Sequence, residues 1–301
     1  MGSQSKDQNE LTVLVTAFGA FREQYPVNPS WEIAKGIPPH LTPLGAKDGG
    51  GGGSRDPPPR VRILVHPEPI RVNYKVVRDL VPGFWDTDYH GHKIDMAIHI
   101  GMAGPRPLYQ IERRAHRRGY KTPDVDGELL ADGPEGRPDD RDWIWYGLPD
   151  EILTEFDVDD VHKRWQAHSS VCLPPFPFFS TAFVGPASFG PTVSFLRVSL
   201  AVCSFVLFFF TRANARLVGG ERGSEQKDMD LRVSEDPGRY LCDFIYYSSL
   251  AQLYKEKRPR KVVFLHVPSD SSEAFVTQGR ELAINLIRAL VESETAAQTG
   301  A

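Results

Sequence analysis

Asp236-Pro237-Gly238-Arg239-Tyr240-Leu241-Cys242-Asp243-Phe244 is a turn-forming run, then a cysteine, then the entrance to a stretch that reads as a helix, Ile245 through Lys257. About 24 residues beyond the cysteine, Lys261-Val262-Val263-Phe264-Leu265-His266-Val267-Pro268 reads as a buried strand with a histidine at its exit. A helix handing over to an apolar, β-branched strand is the repeating unit of an α/β sheet. The thiol in that unit falls on the first turn of its helix. Unpaired backbone N–H groups and the positive end of the helix dipole favour thiolate at such a place.

Working toward the N-terminus, the same alternation recurs. Leu11-Thr12-Val13-Leu14-Val15-Thr16 is a buried first strand, followed by the loop Ala17-Phe18-Gly19-Ala20-Phe21. Asn28-Pro29-Ser30 then opens a helix over Trp31-Glu32-Ile33-Ala34-Lys35, with Asn28 as its N-cap. Val61–Val65 reads as a second strand, Ile70–Tyr74 as the entry to a helix through Leu80, and Asp95–Ile100 as a third strand ending at Gly101. Turns follow, then a charged helical stretch from Asp150 to Gln166, and a C-terminal helix over Ser272 to Glu294. The expected fold is a single α/β domain over 11–293, a three-layer α/β/α sandwich on a mixed, mostly parallel central sheet. Residues 1–10 and 294–301 are expected as tails, and 41–60 as a Gly/Pro linker loop with five consecutive glycines. No Gly-Lys-Ser/Thr follows that run, so it is not a phosphate-binding loop.

Composition excludes several classes. A net charge of −4 in 301 residues gives no basic stripe for nucleic acid. Three scattered cysteines (Cys172, Cys203, Cys242) form neither a disulfide framework nor a zinc site, and point to a reducing, cytoplasmic setting. The polar N-terminus has no apolar core of a secretory signal. His90, His92 and His99 read as a surface turn and a core histidine rather than metal ligands. No metal or other cofactor is expected.

Residues 171–227 do not match the rest. The apolar run Val198–Phe210 is about 13 residues long, short of a membrane span, and Arg197 interrupts its extension. The favoured reading is non-native coding sequence, such as an unspliced intron. A membrane helix and a buried helix grafted onto the domain remain the alternatives.

A cysteine at a helix entrance and a histidine at a strand end are two parts of a cysteine hydrolase. A carboxylate that fixes the histidine tautomer would be the third. Gly101-Met102-Ala103-Gly104 and the segment to Ala115 offer Glu112. By residue type alone, Glu112 reads as well as a surface partner of Arg113 or Arg114.

At these residues the chain resembles pyroglutamyl peptidase type I, a cysteine peptidase family, over about 11–166 and 228–293. The family's Thr-Gly-Phe-x-x-Phe loop and Asn-Pro-Ser-Trp-Glu appear as Thr16-Ala17-Phe18-Gly19-Ala20-Phe21 and Asn28-Pro29-Ser30-Trp31-Glu32. Its glutamate signature matches Gly101 to Ala115, its cysteine signature Ser234 to Asp243, and its histidine signature His266-Val267-Pro268. The resemblance implies a phosphorylase/hydrolase-like fold and an omega peptidase that removes N-terminal pyroglutamate through a thioester. It assigns Cys242, His266 and Glu112 to catalysis, and Phe18, Phe21, Tyr240, Leu241 and Lys121 to substrate binding. Peptides with N-terminal pyroglutamate are the implied partners. Neither nucleic acid nor a membrane is expected, and a homo-oligomer stays open. Ala17, Pro237 and Asp243 depart from the family pattern, as does Lys121-Thr122-Pro123-Asp124 where Arg-Ile-Pro-Asp is usual, which suggests a divergent, fungal-type branch. The charge of Asp243 beside Cys242 is expected to oppose the helix dipole. The insertion leaves two alternatives, an inert family member that keeps the pocket and a membrane-tethered one.

Overall fold

The computed structural model describes residues 10–41, 59–104, 108–132, 141–171 and 230–299. In chain order they form β1 (Glu10–Ala17), α1 (Pro29–Ala34), β2 (Arg60–Val65), α2 (Tyr74–Phe84), β3 (Met96–Met102), β4 (Tyr109–Glu112) and β5 (Arg114–His116). Then come β6 (Glu151–Leu153), α3 (Val158–Val171), β7 (Leu231–Ser234), α4 (Leu241–Lys255), β8 (Val262–Val267) and α5 (Glu273–Thr299). These elements all belong to one compact unit, Met1–Leu173 with Asp228–Ala301.

Six strands make one sheet in the order β2-β1-β3-β8-β4-β7. β2, β1, β3 and β8 run parallel. β4 runs antiparallel to β8, and β7 pairs parallel to β4. The sheet is therefore mixed and mostly parallel, as the sequence predicts. Alternation along β8 sorts its side chains between two cores. Val263, Leu265 and Val267 pack with Trp165 of α3 and Leu282, Leu286 and Leu290 of α5. Val262 and Phe264 pack with Phe244, Ile245 and Leu250 of α4 and Val77 and Val81 of α2. Each such buried large side chain is worth about 1.5–3 kcal/mol. His266 shares the parity of Phe264 and so faces α4. That parity is what positions the site.

Asn28 caps α1 through its side chain, accepting from the Ser30 N–H at 3.1 Å with Pro29 just inside the helix. α4 differs. It is buried on nearly every side, and Tyr240 at its N-cap makes no side-chain capping bond.

Several boundaries differ from expectation. The Asp150–Gln166 stretch divides: Glu151–Leu153 pair antiparallel with β5, and the helix begins only at Val158. Asp157 sets that start by accepting from Asp159 N–H at 3.2 Å and Asp160 N–H at 3.1 Å. The β5–β6 ribbon lies where turns were read, because three-residue strands carry too little alternation to be seen. α2 runs on through Pro82 to Phe84, and α4 starts four residues before the predicted Ile245. α5 continues to Thr299, into the expected tail, where Glu294 pairs with Lys261 and Thr295 and Ala296 are still half-buried. Among the described residues no helix is long and apolar enough to cross a membrane. Of the expected linker 41–60, residues 42–58 lie outside the described residues and Arg60 already belongs to β2; of the anomalous segment 171–227, Val171 closes α3 and the rest lies outside them.

Candidate active site

The first turn of α4 carries Cys242, the one cysteine among the described residues, partly buried. The first backbone bond into the helix runs from Phe244 N–H to Tyr240 O at 2.9 Å. The N–H groups of Leu241, Cys242 and Asp243 thus have no intrahelical acceptor. The thiol rests against the carboxyl end of β3 at Gly101. A Cβ on Gly101 would lie 2.9 Å from Cys242 Sγ and 2.6 Å from Phe264 Cζ. Glycine here is a requirement of close approach.

Gly101 is also the β3 residue in register with His266 of β8. The antiparallel neighbour β4 places Gln110 opposite His266 and Glu112 opposite Phe264. The diagonal from His266 to Glu112 is bridged by His266 Nδ1–H, which donates to Glu112 Oε1 at 2.7 Å. Gln110 Nε2 donates to the same oxygen at 2.8 Å. Glu112 is fully buried, and Tyr246 of α4 donates to its backbone carbonyl at 2.9 Å. With Nδ1 on the carboxylate, Nε2 is the nitrogen left for the sulfur. Burial works against a charged His266 ring. The negative charge of Cys242, its hydrogen bond and then Glu112 overcome that and raise the imidazole to about 10. The ring therefore holds its proton through neutral pH.

Beside the thiol opens a cavity with about 310 Å³ of empty space, lined by Phe18, Phe21, Asn28, Val72, Met102, Tyr240, Leu241 and Cys242. Its walls are aromatic and aliphatic with one amide. Asn28 ties the loop that supplies two of them: Nδ2 donates to Gly19 O at 2.8 Å, while Oδ1 accepts from Ser30 Oγ at 2.8 Å. Ser30 Oγ in turn accepts from Phe18 N–H at 3.3 Å.

Cys242, His266 and Glu112 thus come together, with Phe18, Phe21, Tyr240 and Leu241 in the adjoining wall. Lys121 does not join them. It is exposed on a segment anchored by buried Tyr120 and Asp124 on either side, and it lines no part of this cavity. The Asp243 carboxylate is engaged by His116. His99 sits in the core between Thr16 Oγ1 at 2.7 Å and Ser249 Oγ at 2.8 Å. Sequence reasoning missed Val72, Met102 and Gln110, and read Asn28 only as a cap. The one available signal was position: Met102 ends β3 at the carboxyl edge of the sheet, where open α/β sheets bind ligands.

No protein-family model matches the chain. It is 24% identical over 262 residues to human pyroglutamyl-peptidase 1, covering 87% of this chain and 81% of that protein. The mouse protein of the same name is 25% identical over the same extent. Among solved structures, pyrrolidone carboxyl peptidase from Thermococcus litoralis matches with a TM-score of 0.56 at 15% identity, over 97% of this chain and 96% of that one. The Pyrococcus furiosus enzyme of the same name matches with a TM-score of 0.52 at 17% identity, over 94% and 97%. These structures share the fold.

Proposed function

We propose that this chain, a relative of pyroglutamyl peptidase type I, is a cysteine-type omega peptidase that removes N-terminal pyroglutamate from peptides. The observation that carries the reading is one convergence: a thiol that lines a ring-sized apolar cavity rests on Gly101, whose register partner His266 is seated on a buried carboxylate.

Cys242 Sγ attacks the carbonyl carbon joining the lactam ring to the next residue, forming a C–S bond as the carbonyl electron pair moves onto oxygen. That oxygen develops its charge toward the N–H groups at the uncapped start of α4. One such donor is worth about 3–4 kcal/mol in comparable sites. Collapse re-forms the carbonyl and breaks the C–N bond. The departing amine takes its proton from His266 Nε2. Water then attacks the thioester, giving its proton to His266, and a second collapse releases pyroglutamate and the Cys242 thiolate. Glu112 holds the ring tautomer and offsets its charge throughout.

The cavity suits the ring. A lactam is flat and neutral, and it calls for apolar walls with few polar contacts. Phe18, Phe21, Val72, Met102, Tyr240 and Leu241 supply the walls, and Asn28 the polar group. No carboxylate occurs among the described lining residues, so the ammonium of an ordinary N-terminus would be desolvated without a partner. Few and scattered cysteines support a cytoplasmic site of action.

A fluorogenic pyroglutamyl amide tests the reading. Hydrolysis is expected, with loss of activity on thiol alkylation and no turnover of the corresponding prolyl amide. Silence of the purified, folded chain toward pyroglutamyl amides would sink it.

A further inference from the structure

We propose that His116 and Asp243 are positioning residues for Cys242. They form a second buried histidine–carboxylate pair that fixes the first turn of α4 to β5 and keeps an acid away from the oxyanion site. The inference deepens the peptidase reading and rests on Cys242 being its nucleophile.

Asp243 is the third residue of α4. From that position an acidic side chain ordinarily reaches back to the free N–H of the helix start. Here it does not. Its carboxylate is fully buried, Oδ1 accepts from the His116 backbone N–H at 2.9 Å, and His116 Nδ1 lies 3.3 Å from Oδ2. With Tyr240 making no capping bond either, no side chain of the first turn occupies the N–H groups beside the thiol. His116 draws the acid sideways, and the end of the helix stays open for the substrate oxygen.

His116 is well placed for this. It ends β5, its carbonyl accepts from the buried Tyr120 hydroxyl, and its Nε2 lies 3.9 Å from Glu151 Oε1 on β6. The other charged or titratable groups around the pair are Arg239, 3.6 Å from Asp243 Oδ2, and the hydroxyls of Tyr246 and Tyr247 on α4. Burial raises the Asp243 carboxyl above its ordinary range, and the His116 contacts act against that rise. Removing the imidazole therefore leaves a carboxyl that takes up a proton at still higher pH, or swings toward the helix N–H groups. Either outcome changes the reactivity of the neighbouring thiol.

The experiment uses the full chain and the variants His116→Ala, His116→Asn and His116→Asn with Asp243→Asn. It measures kcat and KM on a pyroglutamyl amide, melting temperature, and the rate of Cys242 alkylation by iodoacetamide against pH. His116→Ala is expected to lower kcat about 10- to 100-fold with little change in KM, as a misplaced reacting group does. Its alkylation profile is expected to shift along the pH axis. In the double variant a neutral amide pair keeps the bridge, so kcat and the alkylation profile are expected to recover relative to His116→Asn alone. Unchanged kcat and alkylation in His116→Ala would overturn the proposal, as would a double variant no better than His116→Asn. Should His116→Ala not fold, the comparison of His116→Asn with the double variant decides alone, by the same criterion. An unaltered chain without peptidase activity sinks the peptidase reading, while the alkylation rates still decide whether His116 positions the thiol.

Discussion

His266 is held charged by two acids, and each contributes separately. Of the effects that raise the imidazole, Cys242 comes before Glu112, while burial opposes both. In Cys242→Ser, turnover is expected to vanish while the fold persists. The His266 ring is expected to titrate far below about 10 in that variant, followed by NMR of the imidazole carbons. The sign is fixed by the raised pKa: the imidazolium survives through neutral pH and is lost as pH climbs through about 10, so kcat/KM should fall on that alkaline limb. By linkage, the stability contributed by this shift is fully present below the unfolded value of 6.5 and is lost over the same climb. Glu112→Gln keeps the size but loses the charge, and is expected to cost up to about 10⁴-fold in kcat. Cys242, His266 and Glu112 were legible because each sits in a local signature of a few residues. The His116–Asp243 pair was not, since its partners are 127 positions apart and neither stands in a pattern that names the other.

At the scale of elements, the site depends on how closely β3 and α4 approach. Gly101→Ala would place a methyl 2.6 Å from Phe264 Cζ and 2.9 Å from Cys242 Sγ. Such overpacking is expected to cost about 1–3 kcal/mol in a denaturant melt. It should also depress kcat, because the flexible partner that gives way is the thiol itself. Asn28→Ala acts through α1. Losing the cap is expected to cost about 1 kcal/mol. Freeing the Phe18–Phe21 loop should raise KM more than it lowers kcat in steady-state kinetics on a pyroglutamyl amide. The parallel strands were readable from unbroken apolar runs, and α1 from its asparagine–proline start. β5 and β6 were not, because strands of three residues show no period, and their pairing overrode the helical charge pattern of Glu151–Leu153.

At the scale of the whole molecule, every described element and the entire site belong to the unit formed by 1–173 and 228–301. His162 of α3 contacts the carbonyl of Leu231 in β7 at 2.9 Å, so the chain returns near the place it left. From His162 to the end of α3 at Val171 the rise is about 14 Å. A linker of six residues spans at most about 20 Å. A variant with residues 174–227 replaced by six Gly/Ser residues is therefore expected to keep the circular-dichroism spectrum and kcat/KM of the full chain. A large loss of kcat/KM would mean that the replaced stretch contributes to the site. The overall architecture was legible because strand and helix periods alternate on both sides of that stretch. The reversal of β4 was not, since nothing in Tyr109–Glu112 states its direction.

That reversal has a mechanical consequence. His266 and Gly101 ride on strands of one polarity, so a slide of β3 together with β8 carries thiol seat and imidazole along as a block. Glu112 arrives from a strand pointing the other way, and the 2.7 Å contact spans the seam between the two directions. Shear along that seam, rather than bending of the sheet, is the distortion that would uncouple the carboxylate from the ring.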